Sequence, residues 1–108
     1  MRPGPASEAE IARHLAELPG WEQNGTAIAR VFHFRDFPTA VAFVGRLVAP
    51  AEALDHHPDV EIHYRRVVVR CTTHHLKGLT SLDFRLAADV DRAALASGAD
   101  FAPPVGAL

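Results

Sequence analysis

The chain has 108 residues and a mass of 11.7 kDa, 48% of them hydrophobic and 22% charged, with a formal net charge of −2 when its seven histidines are neutral. That is the size and composition of one globular domain, able to bury roughly two-thirds of its unfolded surface without staples. It excludes disorder along most of the chain, and the lack of basic excess disfavours a nucleic-acid partner.

The lone cysteine, Cys71, can form neither an internal disulfide nor a CxxC zinc site, which fits a reducing, cytoplasmic compartment. No apolar run approaches the ~20 residues of a membrane span. The first eight residues carry one arginine and no apolar stretch, so they do not read as a signal peptide, and no membrane partner is expected.

Residues 1–6 hold two prolines and a glycine and read as a loose tail. Residues 7–98 read as the single domain, and residues 99–108, again with two prolines and a glycine, as a second tail. Ser7 and Glu10 are spaced as a capping box, and Ile11, His14, Leu15 and Leu18 recur at helical spacing until Pro19-Gly20 stops the helix. A short strand is expected at residues 21–23, a turn at Asn24-Gly25 and a return strand at residues 27–34. In that strand Ile28, Arg30, Phe32 and Phe34 share one face.

Asp36 is spaced to cap a second helix, with Phe37, Ala40, Val41, Val44, Leu47, Val48 and Ala51 as its apolar stripe and Phe43 off its centre. Pro50 cannot donate to the carbonyl of Arg46, which predicts a kink, or a helix end with a new turn beyond. Residues 60–64 and 67–73 read as a second hairpin turning at Arg65-Arg66. Thr80 and Asp83 make a capping-box-like pair before a third helix, whose stripe is Leu82, Leu86, Ala87, Val90 and Ala94 and whose end is Gly98.

The order α-β-β-α-β-β-α predicts an α+β fold. It would be a two-layer sandwich, with a four-stranded antiparallel sheet and helices on one face. Residues 27–34 are a candidate sheet edge, with Arg30 and His33 as the only strongly polar blunting groups. Pairing of edges across a two-fold axis predicts a homodimer, with a tetramer as the alternative.

Five of the seven histidines, His56, His57, His63, His74 and His75, fall in one central stretch. Pro58 pushes His57 out of helical geometry, so His56 and His57 sit where a helix breaks. His74 and His75 follow the other strand of the same hairpin. The start of one hairpin strand lies beside the end of its partner, so the two pairs converge at one end of the sheet. At neutral pH one imidazole can donate a proton while another accepts one. No serine or cysteine stands out as an activated nucleophile, and Cys71 reads as a small buried hydrophobe. Adjacent histidines rarely aim at one ion, and HxH or HxxxH spacing is missing, so a metal site is disfavoured. The bland alternative is that these histidines only cap strand and helix ends.

Glu52, His56-His57-Pro58-Asp59, Tyr64, Thr73-His74, Gly78-Leu79 and Asp83, with Gly20-Trp21, Phe32-His33-Phe34 and Asp36-Phe37 upstream, resemble the pterin-4a-carbinolamine dehydratase family. The likeness spans most of the chain, and its E-x-x-x-H-H-P segment followed after the hairpin by Thr-His is specific. The resemblance implies removal of water from a 4a-hydroxytetrahydropterin to give a quinonoid dihydropterin, which recycles the cofactor of aromatic amino acid hydroxylases. It implies no metal and no organic cofactor. By motif position His56, His57 and His74 would be the catalytic or substrate-contacting histidines, with Glu52, Pro58, Thr73 and Asp83 as substrate-binding positions.

The bland alternative for Glu52 is a solvated helix residue, and for Asp83 a helix cap only, although a cap can still face the site. His63 and His75 read as surface residues, His14 and His33 as structural. The sequence departs from the family at Val60, where many members carry tryptophan, and at His75, where an acidic residue is frequent. Pro50 interrupts a helix that some members use for assembly. Some animal members are also dimerisation partners of a homeodomain transcription factor, so a non-catalytic binding module of the same fold is the competing class. A histidine metal-binding protein is the third.

Overall fold

Capping residues decide where the helices begin. In the computed structural model, which describes residues 2–99, Ser7 and Glu10 exchange the two bonds of a capping box at 3.0 and 3.1 Å, and α1 follows at Glu8–Ala16. Asp36 accepts from the Thr39 N–H at 2.9 Å and starts α2, Phe37–Gly45. Thr80 and Asp83 form a second capping box ahead of the last helix, Ser81–Ala96. That helix closes in a Schellman motif, with Gly98 N–H on Leu95 O and Ala99 N–H on Ala94 O. All but the first residue of the C-terminal tail expected at 99–108 lies outside the described residues.

Pro50 acts as a helix end rather than a kink. α2 stops at Gly45, and a new helix, α3, runs Val48–Leu54. Pro50 is the third residue of α3, where an N–H would have no intrahelical acceptor. The last helix, Ser81–Ala96, is therefore α4. The break also explains why one apolar stripe does not run through residues 37–51. Ala40, Phe43 and Leu47, at i, i+3 and i+7, face the sheet and are buried, whereas Phe37, Val41 and Val48 are exposed. Phe43, placed off-centre by the sequence pattern, is fully buried, with its ring 5.2 Å from Phe32 and 4.8 Å from Phe34. In α4 the buried set adds Phe84, which the predicted stripe omits and on which His14 stacks at 4.5 Å.

The strands are β1 Glu22–Asn24, β2 Ala27–His33, β3 Asp59–His63 and β4 Arg66–Cys71. They form one antiparallel sheet in the order β1-β2-β4-β3. Both hairpins turn one residue away from the expected positions. Asn24 pairs with Ala27, so the first turn is Gly25-Thr26, and Gly25 alone takes a positive φ, +62°. His63 pairs with Arg66, so the second turn is Tyr64-Arg65 rather than Arg65-Arg66. The edge expected at residues 27–34 is instead a central strand, because Ile28 and Phe32 are fully buried and need cover on both sides. The real edges are the three exposed residues of β1 and the mostly exposed β3.

One face of the sheet presents Ile28, Phe32, Phe34, Val67, Val69 and Cys71 to the helices, and this is the core. Beside it, Trp21 Nε1 donates to Asp91 Oδ1 at 2.9 Å, and Arg30 reaches the same oxygen at 3.2 Å and Pro19 O at 2.7 Å. Gly20 passes so close under that guanidinium that a Cβ would sit 2.7 Å from Arg30 Cζ. Residues 2–6, read from sequence as a loose tail, are fastened. Ala6 N–H donates to Leu79 O at 2.8 Å and Arg2 Nη2 to Asp55 O at 3.1 Å.

Candidate active site

Two chain breaks deliver the site residues to one end of the sheet. α3 ends at Leu54, Asp55 turns through the left-handed region (φ 48°, ψ 47°), and His56 N–H closes the turn on Ala51 O at 3.0 Å. That turn sends the His56 side chain inward and leaves His57 outside, with Pro58 leading into β3. On the partner strand, Thr73 follows β4 and pairs in a bridge with Gly78, so His74–Leu76 make a single 3₁₀ turn between them.

Asp83 is the centre of the arrangement. It is 0% exposed, yet both carboxylate oxygens are used. Oδ1 lies 2.5 Å from His56 Nε2, and Oδ2 accepts from Thr73 Oγ1 at 2.8 Å and from the Thr80 N–H at 2.9 Å. Thr73 and Thr80 hydroxyls also meet at 3.1 Å. A buried carboxylate is tolerated when it collects donors in this way. Asp83 thus caps the helix and at the same time holds His56.

His56 is only 6% exposed. With Nε2 donating to the Asp83 carboxylate, the neutral ring carries its lone pair on Nδ1. Nδ1 of His56 makes no hydrogen bond among the described residues.

The other two histidines are exposed and each meets its own carboxylate. His57 Nε2 lies 2.5 Å from Glu52 Oε2, with its side chain 57% exposed. His74 Nε2 lies 3.5 Å from Asp59 Oδ2, with its side chain 70% exposed. Of the candidate residues, His56, Thr73 and Asp83 are joined directly, Glu52 joins His57, and Pro58 is half-buried between them and β3. Thr80 and Asp59 were not among the predicted site residues. A carboxylate directly after His-His-Pro, at the start of the strand whose hairpin partner ends near His74, was the signal for Asp59. Thr80 was legible only as a cap.

Burial, and then the charges of Asp83, Asp59 and Asp91, push the Cys71 thiol well above its ordinary range, so it is not a ready nucleophile. Among the described residues no three His, Cys, Asp or Glu side chains are grouped to hold one metal ion. An open cleft of ≈ 530 Å³ lies away from the histidines, between Arg35–Thr39 and Ala96–Gly98 at the far end of α4.

Fold and site define a two-layer α+β domain with histidine–carboxylate pairs gathered at one end of an antiparallel sheet. The sequence profile of the family described as "Pterin 4 alpha carbinolamine dehydratase" matches residues 4–93. A protein of Chloroflexus aggregans, provisionally named pterin-4-alpha-carbinolamine dehydratase, is 50% identical over 86 residues, 79% of this chain and 92% of the relative. The crystal structure of a "transcriptional coactivator/pterin dehydratase" from Brucella melitensis superimposes with a TM-score of 0.80 at 38% identity, covering 84% of this chain and 99% of the other. A pterin dehydratase-like protein identified as a RuBisCO assembly factor in the alpha-carboxysome shares the fold alone, at a TM-score of 0.56 and 21% identity over 68% of this chain and 86% of its own. The chain belongs to the pterin-4a-carbinolamine dehydratase family.

Proposed function

We propose that the protein dehydrates a 4a-hydroxytetrahydropterin to the quinonoid dihydropterin by histidine acid–base catalysis. The reaction needs an acid to protonate the departing C4a hydroxyl and a base to take a ring N–H proton. His56 and His74 are the acid–base pair in this reading, and His57 orients the pterin through a hydrogen bond. The observation that carries it is the buried bond from Asp83 to His56. A carboxylate that fixes one ring nitrogen selects the tautomer and leaves the other nitrogen for a substrate. Thr73 and Asp83 then act through His56 as positioning residues, and Glu52 does the same for His57.

Cytoplasmic location and assembly as a homodimer, with a tetramer as the alternative, belong to the same reading. The buried reduced thiol of Cys71 is consistent with the first, and the unpaired side of β3 offers a surface for the second. The Brucella relative is named for coactivation as well as dehydration, so a non-catalytic module of this fold is the rival.

Stopped-flow absorbance of quinonoid dihydropterin formation decides between them. The wild-type chain is expected to accelerate dehydration. His74→Ala, at an exposed position, is expected to lose ~10²-fold of that rate with its folding intact. A wild-type chain that leaves the uncatalysed rate unchanged would favour the binding module, and full turnover in His74→Ala would remove that residue from the mechanism.

A further inference from the structure

Residues 2–6 begin two positions before the family match, which opens at residue 4, yet they touch both loops that build the site. Arg2 Nη2 donates to the backbone oxygen of Asp55 at 3.1 Å, and its Nη1 lies 3.8 Å from Asp55 Oδ2. Four residues on, Ala6 N–H donates to Leu79 O at 2.8 Å, and the Ala6 methyl packs against the core. Asp55 directly precedes His56. Leu79 directly precedes Thr80, whose N–H holds Asp83 Oδ2. One end of the segment therefore grips the loop carrying His56, and the other grips the loop that leads into α4, which carries its carboxylate.

The sequence of the segment suits that task. Pro3 and Pro5 lock their own φ, and each biases the residue before it, Arg2 and Gly4, towards extended backbone. An extended proline-rich segment rises ~3.1 Å per residue, so the four steps from Arg2 to Ala6 span about 12 Å. Stiff chain loses little freedom when both ends are fixed. At the Arg2 end it meets a residue in an uncommon state. Asp55 has φ +48°, and the guanidinium addresses both its carbonyl and its carboxylate.

We propose that residues 2–6 are a strap that holds the His56–Asp83 alignment, with Arg2 as a positioning residue for the acid–base chemistry. The effect on turnover rests on the function proposed above, whereas the effect on the loops does not. If the strap works as one piece, loosening either end loosens both loops.

Amide hydrogen exchange followed by NMR tests this at Asp55 and His56, whose N–H groups bond Glu52 O and Ala51 O, and at Thr80. Arg2→Ala is expected to speed exchange at all three about 5-fold, with α2 and β2 unchanged, and Arg2→Lys to restore part of the protection. Ala6→Pro, which removes the N–H at the other end, is expected to speed exchange at Asp55 and His56 as well as at Thr80. In the dehydration assay Arg2→Ala is expected to lower kcat about 5-fold with KM within about 2-fold of wild type. Unchanged exchange at His56 in both variants, or an Ala6→Pro effect confined to Thr80, overturns the strap. A wild-type chain without dehydratase activity overturns the function and leaves the exchange result to decide the strap.

Discussion

The same chemical pair occurs in two settings at one end of the sheet. His56–Asp83 is buried, and its carboxylate is filled by Thr73 and Thr80. His57–Glu52 and His74–Asp59 lie in solvent, with no further side-chain bond among the described residues. A buried pair has lost its water, so each partner depends on the other, and the arrangement has one geometry. An exposed pair exchanges protein contacts for water at almost no cost, so its side chains can swing to a ligand. In the acid–base reading proposed above, the contrast supplies one ring that is held and two rings free to adapt.

The largest test of that contrast removes the buried carboxylate. Asp83→Ala deletes three acceptor contacts and leaves the Thr80 N–H, the Thr73 hydroxyl and the His56 ring without their partner. It is expected to cost about 2–5 kcal/mol in urea unfolding, at about 1–3 kcal/mol for each buried donor left without its acceptor. A loss below about 1 kcal/mol would mean that the network is not the structural centre described above.

The exposed side of the comparison predicts the opposite. Glu52→Gln keeps an acceptor near His57 and removes only an exposed charge, so unfolding free energy is expected to move by less than about 0.5 kcal/mol. A change as large as that of Asp83→Ala would erase the distinction between the two kinds of pair.

How much of this the sequence carries depends on whether the information is local. Capping boxes at Ser7–Glu10 and Thr80–Asp83 are four-residue patterns, and both form as predicted. The strand pairs, the antiparallel sheet and the covered face follow from alternation and hairpin spacing. Strand order is not local, and β2 went to the centre because of what Ile28 and Phe32 bury, not because of any turn. The turn positions were missed by one residue because Gly25 takes the positive φ of the first, which leaves Asn24 in the ladder, and Tyr64 that of the second, at φ +56°. At the site, the convergence of His56 with the Thr73–His74 segment followed from hairpin geometry. The pairing of His56 with Asp83 and of His57 with Glu52 did not, since it depends on how α4 docks and on the turn at Asp55.

A last comparison is between two aspartates on α4, Asp83 and Asp91. Asp83 is fully buried and fills its oxygens with three donors, whereas Asp91 is partly buried and directs Oδ1 at Trp21 Nε1 and Arg30. For Asp91 burial dominates and raises its carboxyl above the ordinary range, with the Trp21 bond and the Arg30 charge opposing it. The sign follows from proton counting. Between the unfolded value, about 3.9, and the raised folded value, the native state binds more protons than the unfolded one, so stability falls as pH rises through that window. Above the window the cost of the buried charge is fully present. Asp91→Asn keeps an oxygen for Trp21 but cannot titrate. The stability of wild type relative to Asp91→Asn is therefore expected to rise as pH is lowered from about 7 towards about 4, in urea midpoints compared at matched pH. A difference that stays flat, or that moves against wild type on acidification, would show that the Arg30 and Trp21 contacts outweigh desolvation and that Asp91, like Asp83, is a satisfied carboxylate.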